Sequence, residues 1–320
     1  MISATTASGT APPGAASGSG ALERAVHGSD ALERAARAAA DAATAAGVTV
    51  RTVGDLAGVR AVSDFLAETW GTPPGAPPLP ADVLISAVHA GGAVHAAYAG
   101  DRLVGAAALV FKRPAERAVY SLVAAAATSD RGVGLAVKQG QRLWALERGA
   151  ERMQWTFDPL LGRNARFNLV KLGGLGTEYV VDFYGRLDDG FNGGDESDRL
   201  TVTWDLCAPR HDVDDGAAGR AGAEVVRRAP DGAPLALRSG ERWWCRVPED
   251  VLALRAKDLP MALRWRHAVR EVFTEVFADG YEASALSRDG WYLLTRSRSG
   301  SCSCSCSASG TPTPTTGQEG

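Results

Sequence analysis

The feature that most constrains this chain is a glycine-bearing turn between an apolar run and a helical pattern. The apolar run Val119–Ala126 predicts a buried strand, and the apolar residues after Gly134 recur at helical spacing until Gly149. The turn itself reads Arg131-Gly132-Val133-Gly134. Glycine lacks a Cβ, so the backbone can approach a ligand closely, and the first N–H groups of the following helix have no partner within the helix. With the helix dipole behind them, these groups predict a site for a phosphate.

The same turn also fits a strand-to-helix connection that binds nothing. A dinucleotide fold needs a third glycine three residues after Gly134, where Val137 stands, and the Gly-Lys-Ser/Thr of a P-loop is absent. The pattern therefore favours the diphosphate of coenzyme A over a nucleotide. A nucleotide-phosphate binder stays open as a weaker alternative.

Composition narrows the class of protein. The chain has 320 residues, 45% of them apolar and 22% charged, which is ordinary for a soluble globular protein. A net charge of -3 gives no reason to expect nucleic acid or a membrane surface as a partner. No cationic start or apolar signal-peptide core is present, and the five cysteines lack a zinc spacing. We expect a cytoplasmic protein without a metal.

Composition also divides the chain into five parts. The central part is expected to contain a strand, two helices, three strands, the turn with its helix, a strand, a helix and two strands. The other parts are a disordered and alanine-rich helical lead-in, a linker, a smaller α+β unit and a disordered Ser/Cys/Thr/Pro tail. The predicted boundaries are 1–46 for the lead-in, 47–207 for the central domain, 208–222 for the linker, 223–298 for the smaller unit and 299–320 for the tail.

This order of elements, together with five motifs, resembles the GNAT superfamily of N-acyltransferases, and in particular a bacterial subgroup with a C-terminal extension. The motifs are Trp155–Leu160, Arg163–Ala165, Phe167–Gly173, Asp182–Gly185 and Ser197–Leu200. The resemblance runs from Val48 to Thr295. It implies an α+β fold whose central sheet is mixed, mostly antiparallel and flanked by helices.

The resemblance also implies where acetyl-CoA, or another short acyl-CoA, is held. In GNAT enzymes the strand before the turn splays from the next strand, and the pantetheine arm lies in the gap. The arm and its thioester are therefore assigned to Leu122, Val123 and Ala124. The residues assigned to the coenzyme's diphosphate are Arg131, Gly132, Val133, Gly134 and Leu135. Asn164 resembles the asparagine that hydrogen-bonds the pantetheine.

Two departures from the family pattern concern the turn and the proton donor. Ser129 stands where relatives carry Gln or Arg, and Leu169 replaces a tyrosine that often serves as the general acid. An amine must lose a proton before it attacks a thioester, and the thiolate must be protonated or solvated as it leaves. We expect Asp158 at a strand end to act as the base and Tyr184 at the next strand end to act as the acid. A turn-capping aspartate and a half-buried sheet tyrosine are the alternatives.

The acceptor pocket is expected to include Asp198 and Arg199. A guanidinium there can clamp a carboxylate, which predicts an amino-acid-like acceptor, whereas an Asp–Arg pair that only braces the loop is the alternative.

The predicted function is direct transfer of an acyl group, acetyl by default, from acyl-CoA to a primary amine of a small molecule. The alternative is a non-catalytic acyl-CoA sensor on the same scaffold. A homodimer stays open.

Overall fold

The computed structural model describes residues 19–72, 76–127, 132–185, 195–209 and 213–297, with side chains from residue 29 onward. The predicted tail and most of the predicted disordered start lie outside these ranges. Helix α1 begins at Ser19, within the predicted lead-in 1–46.

The first half of the chain follows the predicted order of elements. Its elements are α1 (Ser19–Ala46), β1 (Thr49–Val53), α2 (Leu56–Trp70), α3 (Ala81–His89), β2 (Ala93–Ala99), β3 (Arg102–Phe111), β4 (Ala118–Ala126) and α4 (Val133–Glu147).

The second half continues with β5 (Arg152–Phe157), the short helix α5 (Gly162–Ala165), which runs into a π-helix (Arg166–Lys171), then β6 (Leu175–Val180) and β7 (Arg199–Asp205). The smaller C-terminal unit comprises β8 (Glu224–Arg228), β9 (Pro234–Ser239), β10 (Arg242–Arg246), α6 (Val251–Lys257), α7 (Leu259–Ala278), β11 (Tyr281–Leu286) and β12 (Trp291–Arg296).

The strands form one twelve-stranded sheet in the order β1-β2-β3-β4-β5-β7-β6-β11-β12-β10-β9-β8. Strands β4 and β5 pair in parallel, whereas the other pairs in the described ranges are antiparallel. The predicted α+β class with a mixed, mostly antiparallel sheet is confirmed. The C-terminal unit continues the sheet, because Ala283 of β11 pairs with Gly176 of β6.

Helices cover the two faces of the N-terminal half of this sheet. Helices α2 and α3 bury an apolar cluster that includes Val59, Leu66 and Leu84 against β2 and β3. On the other face α4 packs through Val133 and Val137. Helix α1 lies on α4, and its alanines are small enough for the two helices to come close. Within the described ranges, no helix is both long and apolar enough to cross a bilayer.

A buried ion-pair network joins the C-terminal unit to the central domain. Arg266 of α7 donates to Asp158 at 2.9 Å and to Asp195 at 2.7 Å, and Arg255 of α6 reaches the same two carboxylates. Asp195 and Arg266 are fully buried. Since unpaired buried charges are costly, this network requires all four members together.

Replacing Arg266 should therefore destabilise the whole chain. We expect Arg266→Met to lower the free energy of unfolding by about 3–5 kcal/mol, because two buried carboxylates then share one guanidinium. The matched control is Arg227→Met, which removes an exposed pair with Glu271 and Glu275 and should cost about 1 kcal/mol or less. Urea unfolding measures both, and equal small losses would contradict the role given to the network.

Candidate functional site

Strands β4 and β5 are paired only at their beginnings. The parallel pairing runs from Ala118 opposite Arg152 to Tyr120 opposite Gln154. Beyond it β4 stays with β3 as far as Ala126, and β5 stays with β7 as far as Phe157. The two strands therefore separate, and the gap between them closes at Ser121 and Trp155, the first residue of each strand past the pairing.

A β-bulge lies at the closed end of this gap. Leu109 of β3 pairs with Ser121, but Ala108 pairs with Val123, so Leu122 is an extra residue in β4. A bulge increases the local twist and bends its strand, which helps β4 diverge from β5. The predicted pantetheine contacts Leu122, Val123 and Ala124 lie on this diverging segment, where backbone groups on the gap side can pair with an extended ligand.

The glycine turn opens at the other end of the gap. Gly132 precedes α4 with a φ of 80°, a left-handed conformation that favours glycine, and no side chain caps the helix. The first bond of α4 runs from the Ala136 N–H to the Gly132 carbonyl. The N–H groups of Val133, Gly134 and Leu135 therefore have no acceptor within the helix. Arg131 lies outside the described residues.

The space in front of this helix start is open. A Cβ built on Gly134 would have a single described neighbour within 4 Å, the Phe167 ring at 3.9 Å. Phe167 belongs to the π-helix on the far side of the gap, and Asn164 lies exposed in the short helix before it. Gly134 and Phe167 thus face each other across this opening, and the contacts of the residues assigned to the coenzyme stay a prediction.

A lysine that sequence reasoning missed lies at the closed end of the gap. Lys138 of α4 is buried, its Nζ donates to Ser121 Oγ at 2.9 Å, and it lies 4.0 Å from the centre of the Trp155 ring. Burial lowers the pKa of Lys138 to about 7. The available signal was its spacing, since Lys138 shares a helix face with Gln141 and Ala145, which are buried.

The expected role of Asp158 as a base is wrong. Its carboxylate accepts bonds from Arg255, Arg266 and the Leu160 N–H. Burial by itself raises the pKa of this carboxyl, but the two guanidinium groups outweigh burial and hold the pKa below its usual value. Asp158 holds the C-terminal helices in place and has little tendency to take up a proton.

Tyr184 does not end a strand as expected. Strand β6 stops at Val180, and Tyr184 follows in a turn with its side chain 49% exposed. Asp182 in that turn has a φ of 47° and accepts a bond from the Ser197 N–H, which ends the strand early. The Arg199 guanidinium lies 5.1 Å from the Tyr184 ring centre.

The two predicted acceptor residues have different surroundings. Asp198 is fully buried and accepts bonds from the Tyr179 hydroxyl at 2.6 Å and from Arg270. Asp198 therefore braces its loop, but its charged partner is Arg270 and not Arg199 as in the alternative. Arg199 donates to the Asp198 carbonyl and lies next to Tyr184, so its role as a carboxylate clamp stays a prediction.

A polar row crosses the sheet face that carries α2 and α3, close to the gap. Tyr120 hydrogen-bonds with Thr156, and the Thr201 hydroxyl donates to the exposed Glu178 carboxylate at 3.1 Å. Burial raises the pKa of Tyr120, and the nearby Tyr184 and Glu178 add to the rise. These contacts place Tyr120, Tyr184, Arg199 and Glu178 in one neighbourhood, which sequence spacing did not indicate.

Comparison with known proteins yields structural similarity alone. No protein-family model matches the chain, and no curated protein matches it. The chain is similar to an N-acetyltransferase from Staphylococcus aureus Mu50, with 12% identity, 50% of this chain and 98% of that chain covered, and a TM-score of 0.41.

Two other solved structures are similar over the same share of the chain. A putative acetyltransferase from Salmonella typhimurium, solved with its cofactor acetyl-CoA, has 15% identity, covers 52% of this chain and 96% of its own, and gives a TM-score of 0.41. The ribosomal-protein-S18-alanine N-acetyltransferase from Escherichia coli has 9% identity, 51% and 97% coverage, and a TM-score of 0.39. These similarities each cover about half of this chain.

Proposed function

We propose that this protein transfers an acyl group, acetyl by default, from acyl-CoA to a primary amine of a small molecule. The observation that carries the proposal is the separation of β4 from β5, which begins at the Leu122 bulge and leads to the uncapped start of α4. A pantetheine arm needs an extended channel, and its diphosphate needs a cluster of N–H donors at the channel mouth. The separated strand edges and the unpaired N–H groups at the start of α4 support these two requirements, in that order along the chain.

The edge of β4 and the start of α4 bind different parts of acyl-CoA. Backbone groups of Leu122–Ala124 pair with the amides of the pantetheine arm as a neighbouring strand would. One N–H of this edge polarises the thioester carbonyl and stabilises the oxyanion that forms on attack. The N–H groups of Val133–Leu135 hold the diphosphate, and Arg131 adds a positive charge beside it.

The acceptor amine approaches from the polar row of Tyr120, Thr156, Thr201 and Glu178. Glu178 takes the place of Asp158 as the base, acting through water, because it is an exposed carboxylate at the β6 end of the polar row, where it accepts a bond from Thr201. The exposed aromatic pair Phe183 and Tyr184 gives this face an apolar part. Arg199 then binds the carboxylate of an amino-acid-like acceptor. Attack is direct, without an acyl-enzyme.

A non-catalytic acyl-CoA sensor is the second candidate. It is favoured by Leu169, which is fully buried at the position of the family's tyrosine acid. Release of free thiol from acetyl-CoA across a panel of amines separates the two functions. Binding of acyl-CoA without release for every amine would support the sensor.

A charge on Gly134 should block the diphosphate and leave the fold intact. Gly134→Asp places a carboxylate in the first turn of α4, where it stabilises the helix but repels an anion. We expect acetyl-CoA affinity to fall about tenfold or more, roughly 1.4 kcal/mol, without loss of thermal stability. The control is Gly134→Ala, whose Cβ makes an ordinary contact with Phe167. Calorimetric titration measures both, and equal affinity in the two variants would contradict the assignment.

Removal of the Glu178 carboxylate should slow acyl transfer without weakening acyl-CoA binding. We expect Glu178→Gln to reduce kcat/KM for the amine by about a hundredfold, the usual effect of a lost general base. Steady-state thiol release at pH 7 measures it. Glu224→Gln changes an exposed carboxylate on the edge strand β8 and serves as the control. Similar rates for the two variants would remove Glu178 from the mechanism.

A further inference from the structure

The closed end of the gap contains a cationic side chain with no carboxylate beside it among the described residues. Lys138 is 4% exposed, and burial is the cause that shifts its pKa. Its Nζ touches Ser121 of β4 and Trp155 of β5, the two residues between which the strands begin to part. Lys138 thus lies where the gap ends, on the sheet face that carries α4.

The groups packed around Lys138 do not neutralise it. On β2, His95 is buried, and burial followed by the charges of Arg148 and Lys138 lowers its pKa to about 4, so it is neutral at pH 7. On α4, Arg142 turns away to the Leu206 carbonyl. The π-helix presents Asn168, whose side-chain oxygen accepts a bond from Trp155.

Burying an unpaired ammonium costs stability, and an apolar residue would fit this position at lower cost. A role in the reaction accounts for the retention of this costly residue, because an ammonium here can stabilise and protonate an anion that forms beside it. In the proposed reaction that anion is the thiolate of coenzyme A, which is released where the thioester meets the closed end of the gap.

We propose that Lys138 is the proton donor to the leaving thiolate, an inference that rests on the proposed acyl transfer. The amine nitrogen forms a bond to the thioester carbon, the C–S bond breaks, and its electron pair stays on sulfur. The Lys138 ammonium gives one proton to that sulfur and becomes a neutral amine. The acceptor ammonium loses two protons in all, so one returns to Lys138 through water and the other enters solvent.

The position also accounts for the buried Leu169. With no tyrosine there, Lys138 is the proton donor that the described residues place at the closed end of the gap, on the sheet face that carries α4. The hydrogen bond from Lys138 Nζ to the Ser121 hydroxyl fixes the direction of the lysine side chain, and that hydroxyl in turn donates to Gln141. A pKa of about 7 is close to working pH and lower than about 8.5 for a free thiol, so proton transfer to the thiolate is favourable.

The kinetic test compares Lys138→Met, Lys138→Arg and Tyr184→Phe. We expect Lys138→Met to reduce kcat by about a hundredfold and to keep the acetyl-CoA dissociation constant within about threefold. Lys138→Arg keeps the charge but releases no proton near neutral pH, so it should not restore kcat. Lys257→Met, on an exposed position of α6, should leave kcat unchanged.

The pH profile distinguishes proton donation from a structural role. A donor must be protonated, so wild-type kcat should fall as pH rises through the pKa of Lys138, and Lys138→Met should lose this alkaline limb. Restoration by Lys138→Arg, or loss of the limb in Tyr184→Phe instead, would overturn the proposal. Wild-type protein that releases no thiol with any amine would remove the proposed function itself, a different outcome.

Protein stability gives a readout that needs no activity. Folding lowers the pKa of Lys138 from 10.5 to about 7, so between these values the unfolded chain binds more protons and wild-type stability rises with pH. Lys138→Met lacks this dependence and should melt at a higher temperature than wild type at pH 7. The difference should shrink towards pH 10.5, and a difference independent of pH would show that Lys138 is not a buried, titrating amine.

Discussion

The separation of two parallel strands is the constraint on which the site depends. A strand edge with N–H and C=O groups facing another strand's edge normally forms a ladder, because unpaired buried backbone groups are costly. Here the ladder stops after Tyr120 and Gln154, and the Leu122 bulge bends β4 away. The resulting edge can be satisfied by water or by an extended amide-containing ligand. A pantetheine arm is such a ligand, and the helix start at the mouth of the gap suits its charged end.

The C-terminal unit stabilises the strand that forms the other side of this gap. Asp158 directly follows β5, and its pairs with Arg255 and Arg266 tie the end of that strand to α6 and α7. The same network includes Asp195, which precedes β7 in the chain. The C-terminal helices therefore support both β5 and the segment that leads into β7. The smaller unit thus stabilises the β4–β5 gap, although neither strand of the gap belongs to it.

Local patterns in the sequence were enough for most of the fold. The apolar run Val119–Ala126 predicted the strand that the structure forms as β4, and the glycines around α4 marked its two ends. These elements depend on neighbours in the chain. The order β5-β7-β6, with β7 inserted between the other two, depends on partners far along the sequence. Nothing in the local spacing predicted it.

The chemistry of the site was harder to predict for the same reason. Asp158 seemed free because its partners lie about a hundred residues later in the chain. Tyr184 was placed on a strand because nothing in its apolar surroundings showed that Asp182 adopts a positive φ. Lys138 looked like any lysine on a helix, and only the packing of α4 on two diverging strands reveals its burial. The local spacing of residues does not predict side-chain roles that depend on contacts with residues far along the chain.

Hydrogen–deuterium exchange with and without acetyl-CoA tests the separated strands most directly. If the gap receives the pantetheine arm and the helix start receives the diphosphate, exchange should slow at the amides of Leu122–Ala124 and Val133–Leu135. Strands β8 and β9, at the far end of the sheet from the gap, should exchange at unchanged rates. Unaltered exchange in both segments at saturating acetyl-CoA, or slowing confined to other parts of the chain, would contradict the central claim.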